Sequence, residues 1–176
     1  THKLSADTIN LDAKDIEEIQ IFKVELKEQS GILKILEIIN KSIPYHIVFW
    51  VEFQNQAYIC TAAKHLHPTN EDVSVIDWAF TSDWFDMANT PFQFNLKSSL
   101  DAVYKDLCVQ LTGKPDLSKK SMDSILQNQQ EIDQLKKEVA RLKSAILRSK
   151  QFNEKVDLNL KLKEAESDLK KFNDIG

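Results

Sequence analysis

Over residues 18–27 apolar and charged positions alternate, with Phe22, Val24 and Leu26 on one side and Lys23, Glu25 and Lys27 on the other. A period of two predicts a strand with one dry face and one wet face. The apolar parity switches between Ile21 and Phe22, which predicts a bulge or burial on both faces there. Residues 8–11 read as a short strand entering the fold. After Ser30-Gly31 the period lengthens: Ile32, Ile35, Leu36, Ile39 and Ile43 form one helical stripe, ended by Pro44. Residues 45–53 and 57–63 are rich in β-branched and aromatic side chains and flank Gln54-Asn55-Gln56. They predict a hairpin whose turn uses a positive φ at Asn55. Residues 65–72 read as a polar loop and 73–81 as a further strand, leading into Trp78, Phe80, Trp84 and Phe85. Leu100, Val103, Tyr104, Leu107 and Leu111 then mark a second helix, capped by Ser98 or Ser99 and stopped by Gly113 and Pro115. The order of elements predicts an α+β fold, a mainly antiparallel sheet with two helices.

Beyond Pro115 the pattern changes. Ile125, Ile132, Val139 and Ile146 recur every seven residues, Leu135 and Leu142 fill positions between them, and Asn128 and Ser149 are polar members of the same seam. This is a coiled-coil repeat. A second seam runs through Leu158, Leu162, Ala165, Leu169 and Phe172, out of phase with the first, so the phase breaks within residues 150–155. An antiparallel helical hairpin is the preferred reading and a single kinked helix the alternative. The predicted domains are therefore 1–113, globular, and 114–176, a C-terminal coiled coil.

Charge sharpens that division. The 176 residues carry a formal net charge of −4, but residues 1–113 hold 9 Lys against 16 acids and residues 114–176 hold 12 Lys and 2 Arg against 11. An acidic domain followed by a mildly basic one offers no broad basic face to wrap nucleic acid. With 3 Gly in all there is no phosphate-binding glycine loop, which excludes P-loop and dinucleotide-binding classes. Cys60 and Cys108 stand in apolar surroundings without metal-like spacing, as buried thiols of a cytoplasmic protein would. The longest apolar run, residues 47–51, is far short of the ~20 residues of a membrane helix.

Five stretches occur in a familiar order: Lys3-Leu-Ser-Ala-Asp-Thr-Ile-Asn-Leu11, Glu18-Ile-Gln-Ile-Phe22, Ile43-Pro-Tyr-His-Ile47, Ser99-Leu-Asp-Ala-Val-Tyr104 and Lys150-Gln-Phe-Asn-Glu-Lys-Val-Asp-Leu-Asn159. Together they resemble a bacterial family known only as domain of unknown function 4391. Members look longer at the N-terminus, so the resemblance implies a start that this chain lacks. Its genes typically lie beside superfamily-two helicases and DNA methyltransferases in restriction-like, anti-phage loci. The resemblance thus implies a small accessory component of such a system, with a helicase or a methyltransferase subunit as partner. A Tyr-Tyr-His-Thr-x-Trp stretch associated with the family is Ala79-Phe-Thr-Ser-Asp-Trp84 here, which removes its aromatic hydroxyls.

Few residues carry candidate chemistry. Glu25 and Lys27, two apart on a strand, point to one face, as in the carboxylate–lysine pair with which PD-(D/E)xK nucleases bind Mg²⁺ and activate water. Asp12, Asp15 or Glu18 would supply the further acid. A solvated strand face carries the same pair. His46 is a candidate general base, with a structural polar group as the blander reading. Cys60, His65 and His67 lack a fourth ligand and a standard metal spacing, so no metal or other cofactor is expected; Mg²⁺ enters only with the nuclease reading. Lys136, Lys137, Arg141, Lys143, Arg148 and Lys150 form a basic run suited to an anion or an acidic partner, or to a solvated flank of the coiled coil. Direct nucleic-acid contact is left open.

The preferred reading is a non-enzymatic assembly subunit. Its α+β domain docks on one partner and its coiled coil presents Ile132, Leu135, Val139, Leu142 and Ile146 to another helix. That helix belongs to the same chain, to a second copy in a homodimer, or to a partner, because so long a seam is seldom stable alone in water. The competing classes are a nuclease built on Glu25 and Lys27, and an inhibitor whose acidic domain imitates DNA.

Overall fold

The structure, a computed structural model, describes residues 2–29 and 31–174. They form two compact units, Thr1–Ser118 and Lys119–Gly176. The first is a mixed α+β domain built on a six-stranded, mostly antiparallel sheet.

The domain begins with β1 (His2–Ser5), α1 (Ala6–Ile9) and β2 (Glu18–Glu25). The expected strand at 8–11 is thus replaced by a four-residue helix that follows β1. The Ser5 amide donates to Thr8 Oγ1 at 2.9 Å, and Asn10 ends the turn with a left-handed φ of 52°. A helix this short is held by its cap, which the strand propensity of Thr8 and Ile9 conceals. It also takes the globular domain beyond the two helices expected.

A crossover helix, α2 (Leu33–Ser42), leads to β3 (His46–Phe53), and β2 and β3 pair in parallel without interruption from Ile19↔His46 to Glu25↔Glu52. No bulge occurs at Ile21/Phe22; the parity switch is accommodated by burial on both faces, with Ile19 fully buried on one and Phe22 packed against the core on the other. Parallel pairing requires such a crossover, and it lays α2 on one face of the sheet. On that face Leu36 packs with Ile47, Phe49, Val51, Tyr58 and Cys60, joined by Phe22, Val24 and Ile39. Each large apolar side chain buried there contributes about 1.5–3 kcal/mol. Ile35, expected in the buried stripe, is exposed, because the helix sinks only the 32–36–39–43 side into the sheet.

β3 turns into β4 (Gln56–His67) through two residues, and Gln54 rather than Asn55 takes the positive φ, at 53°. β4 runs to His67 and β5 (Asn70–Thr81) begins three residues later, so most of the expected loop at 65–72 is strand. Register shifts at Ala63/Lys64 and Leu66/His67 bend this long pair. A two-residue β6 (Phe85–Asp86) adds to β4, and the sheet order is β1-β2-β3-β4-β5.

The opposite face is covered by α3 (Leu100–Thr112), which is capped by Ser99 through the Ala102 amide and ended by Gly113 at φ 68°. Leu100, Val103, Tyr104 and Leu107 are buried beneath it.

The second unit consists of two helices, α4 (Met122–Arg148) and α5 (Phe152–Asp174). Ser121 caps α4 through the Ser124 amide. The break at Ser149 falls just before the stretch where the two seams lose phase, with no glycine or proline to mark it. α5 returns along α4: Lys143 Nζ lies 2.9 Å from Glu166, and Leu135 shares a hollow with Phe172. Among the described residues no helix is long and apolar enough to cross a membrane.

Candidate functional site

The structure separates the residues expected to form a nuclease centre. Glu25 is the last residue of β2 and exposed, while Lys27 lies beyond the strand, also exposed. Glu18 stands at the other end of β2, seven residues and roughly 23 Å from Glu25, and pairs with Lys3. Asp12 bridges to Ser99, and the Asp15 amide donates to Asp101 at 3.0 Å, so both acids belong to the loop that Asp101 anchors. None of the three approaches Glu25.

The carboxylate that does stand beside Glu25 is Glu52, its register partner on β3. Sequence reasoning missed it, because parallel pairing joins residues 27 apart in the chain. Glu52 is already occupied: Lys23 Nζ lies 2.7 Å away, and Trp50 Nε1 donates to it at 2.7 Å. Among the described residues no three His, Cys, Asp or Glu side chains converge as a metal ligand set. β1 covers β2 only as far as Ile21. Lys23, Glu25 and Lys27 therefore line a strand edge, where alternating charges discourage pairing with another chain.

His46 opens β3 and packs edge-on against Tyr104, with ring centroids 4.6 Å apart. Burial holds its imidazole down at about 4, the charge of Lys64 acts in the same direction, and Asp101 opposes both. The ring is neutral at physiological pH but too weakly basic to be an effective proton acceptor there. Beside it the Tyr104 hydroxyl meets Thr61 Oγ1 at 3.0 Å, and Thr61 donates to the Ile47 carbonyl at 2.7 Å. Burial pushes the Cys108 thiol up to about 12 and raises that of Cys60, so neither is a ready thiolate.

Lys64 is an unusual buried cation. Its Nζ donates to the Asn40 and Ile43 carbonyls at 2.7 and 2.6 Å, closing the C-terminus of α2, and burial lowers its pKa to about 8. This is a helix cap supplied by a neighbouring strand. Cys60, His65 and His67 do not converge. Cys60 faces the α2 core, His65 Nδ1 bonds Asp77 at 3.0 Å, and His67 bonds Thr69 at 3.2 Å.

In the helical unit Ile132 and Leu142 are buried and Leu135, Val139 and Ile146 half-buried. On α5 Ala165 is buried, and Leu158, Leu162, Leu169 and Phe172 are half-buried. The covered sides of the two helices are thus the two seams, and α5 already lies along α4. Three cations of the basic run are paired within the unit: Lys137 with Asp133, Arg141 with Glu138 through two bonds, and Lys143 with Glu166. The bidentate bond holds the Glu138 carboxyl below its ordinary range. Arg148 and Lys150 instead line a hollow of about 570 Å³ where α4 meets α5, together with Ser144 and Glu154. Lys136, next to Leu135 of the seam, is exposed.

Exposed apolar residues cluster elsewhere. Leu147 is 85% exposed and Phe152 78%, with Leu160 at 59% and Val156 at 42%. The last three recur every four residues on α5, on the side opposite its seam. That spacing was available in the sequence but overlooked beside the stronger seam. Leu33, Ile35 and Ile38 give α2 an exposed apolar surface of its own.

The search of curated proteins gives no match and neither does that of solved structures. A family model does match, described as a domain of unknown function, DUF4391, and it spans residues 1–169. That span takes in both compact units, and the chain belongs to the DUF4391 family.

Proposed function

We propose that the chain is a non-enzymatic accessory subunit that assembles with protein partners in a bacterial restriction-like or anti-phage system, in the cytoplasm. The observation that carries this reading is the pair of exposed apolar faces, Ile35 and Ile38 on α2 and Phe152, Val156 and Leu160 on α5. Exposed apolar side chains grouped at helical spacing are what partner-binding surfaces leave uncovered in the free protein. The domain division then has a function. The α+β domain offers the α2 face to one partner, and α4 with α5, read as an antiparallel two-stranded coiled coil, offers a second face. The tie to helicase and DNA methyltransferase partners rests on family resemblance.

In this reading Ile132, Leu135, Val139, Leu142 and Ile146 hold the coiled coil together within the chain. They act on partners through the shape they maintain. The alternative, a metal-dependent nuclease, has only the Glu25–Lys27 spacing in its favour.

The experiment is co-purification of the tagged full chain from its native host. A helicase or methyltransferase subunit should be retained, and Ile35→Lys with Ile38→Lys should release one partner while the chain stays folded. Retention of no such subunit would overturn the proposal.

A further inference from the structure

We infer that the hollow between the start of α2 and Trp84 binds a small aromatic anion, a flat ring carrying one carboxylate or one phosphate. The inference stands independently of the assembly reading.

The hollow lies where the parallel pair ends. Val24 on β2, Val51 on β3 and Tyr58 on β4 stand side by side in register, close to the carboxyl ends of β2 and β3. From β2 the chain runs through Gln29 and Gly31 into α2, and both residues line the hollow with Leu33. Tyr58, Thr81, Ser82 and Trp84 complete the lining of a space of about 340 Å³. Crevices outside the carboxyl ends of parallel strands, at the start of the crossover helix, are where such units hold ligands.

Two kinds of polar group there lack partners. The N-cap of α2 is Ile32, which supplies no side-chain acceptor. The Ile35 and Leu36 amides donate to the Ile32 carbonyl, whereas those of Leu33 and Lys34 find no acceptor among the described residues. Tyr58 is the independent observation. It is only 6% exposed, yet its hydroxyl has no hydrogen-bond partner among the described residues. Its ring packs in the α2 core and edge-on against Trp84, with centroids 4.7 Å apart. The hydroxyl at the ring's tip is left to the hollow that both residues line. The neighbouring hydroxyls are already used. Thr81 donates to Cys60 Sγ, while Ser82 donates to the Asp83 carbonyl at 2.8 Å and accepts from the Ile59 amide at 2.9 Å. Burial raises the Tyr58 pKa above its ordinary value, so the free hydroxyl keeps its proton and is a donor.

These groups specify the ligand. Two amides and a phenol offer three donors, the complement of an oxyanion. A helix N-terminus carries about half a unit of positive charge, which suits one anionic group. No charged side chain lines the hollow among the described residues, which counts against a polyphosphate. The indole of Trp84 offers apolar area to a ring, and Leu33, 52% exposed, has surface left to cover.

Titration of the full chain with phenylacetate, phenyl phosphate and benzyl alcohol, followed by proton–nitrogen spectra, tests this. Either acid should saturably shift the Leu33 and Lys34 amides and the Trp84 indole, with a dissociation constant on the order of 1 mM. Benzyl alcohol, which keeps the ring and lacks the charge, should bind at least ~10-fold more weakly. The tighter of the two acids identifies the headgroup. Tyr58→Phe should weaken acid binding by ~10-fold and leave the unfolding midpoint unchanged, because the free protein loses no hydrogen bond. Leu33→Glu should keep the fold, since an acidic residue suits the first turn of a helix, and should abolish acid binding. No saturable shift with either acid, equal binding of benzyl alcohol, or undiminished binding to Tyr58→Phe or Leu33→Glu would overturn the inference.

Discussion

Tyr104 on α3 and Thr61 on β4 share a buried hydrogen bond of 3.0 Å that ties the helix to the middle of the sheet. Its direction follows from chemistry. Thr61 spends its single hydroxyl proton on the Ile47 carbonyl, so Tyr104 is the donor. Removing either hydroxyl alone costs about 1–3 kcal/mol, with the larger loss in Thr61→Val, which strands the tyrosine proton. The double variant Tyr104→Phe with Thr61→Val should lose less than the sum of the single changes. Urea denaturation of the four proteins measures this, and strict additivity would mean that the bond contributes nothing.

His46 gives the α+β domain an acid-sensitive stability. The folded ring titrates at about 4, against 6.5 for an unperturbed histidine. Between those values the unfolded chain binds a proton that the folded chain refuses. Stability is therefore fully present above pH 6.5 and is lost as pH falls toward 4. The loss is on the order of 2 kcal/mol, allowing for the ring's partial exposure. Unfolding midpoints at a series of pH values should show this slope in the wild type and a flatter one in His46→Gln.

The helical unit depends on its seam. Leu142 is 1% exposed, and Leu135 lies at the level of Phe172. Leu135→Asp with Leu142→Asp should cost more than the about 2–5 kcal/mol typical of a core Leu→Ala change, since it also buries two unpaired carboxylates. Far-UV circular dichroism should register the loss of α4 and α5, while limited proteolysis leaves residues 1–113 intact. Partner capture should be lost as well. An unchanged helical signal would show that the seam is not what holds these helices.

Glu25→Ala, Lys27→Ala and their combination should leave stability within about 0.5 kcal/mol, because both side chains are solvated at a strand edge. Supercoiled and linear DNA incubated with the wild type and Mg²⁺ or Mn²⁺ should remain uncut. Cleavage by the wild type that vanished in Glu25→Ala would restore the nuclease reading.

Local pattern revealed those elements whose stabilising contacts are local or one-sided. α3 and α4 were legible because a single period runs through each, β2 because it alternates from Phe22 onward, and Ser99, Gly113 and Pro115 mark where α3 begins and ends. α1 was hidden because a reciprocal Ser5–Thr8 cap outweighs the strand propensity of two β-branched residues. The β4–β5 extension was hidden because exposed hairpin ends use the same polar residues as loops. Ile35 misled because α2 is apolar on more than one side, and spacing cannot say which side the sheet takes. The same ambiguity hid Phe152, Val156 and Leu160, a second apolar side of a helix whose seam faces the other way. Among the candidate site residues, the Glu52 contacts of Lys23 and Trp50 were illegible in one case and local in the other. Lys23 meets Glu52 across a parallel pair that no short window contains, whereas Trp50 lies two residues away on the same strand.

The parallel pairing of β2 with β3 has a consequence for the order of assembly during folding. β3, β4 and β5 are joined by two-residue turns and can zip from neighbouring residues alone. β2 can reach β3 only after α2 has carried the chain back across the sheet, a loop closure whose entropy is lost before any ladder bond forms. The β3–β5 meander should therefore be the first structured part of the domain, and β1 with β2 the last to join it. Amide protons of β2 should then acquire protection later than those of β4 in a refolding pulse. Since Lys23 and Glu25 lie on the last strand to dock, the charges that guard that edge matter most in the interval before docking is complete.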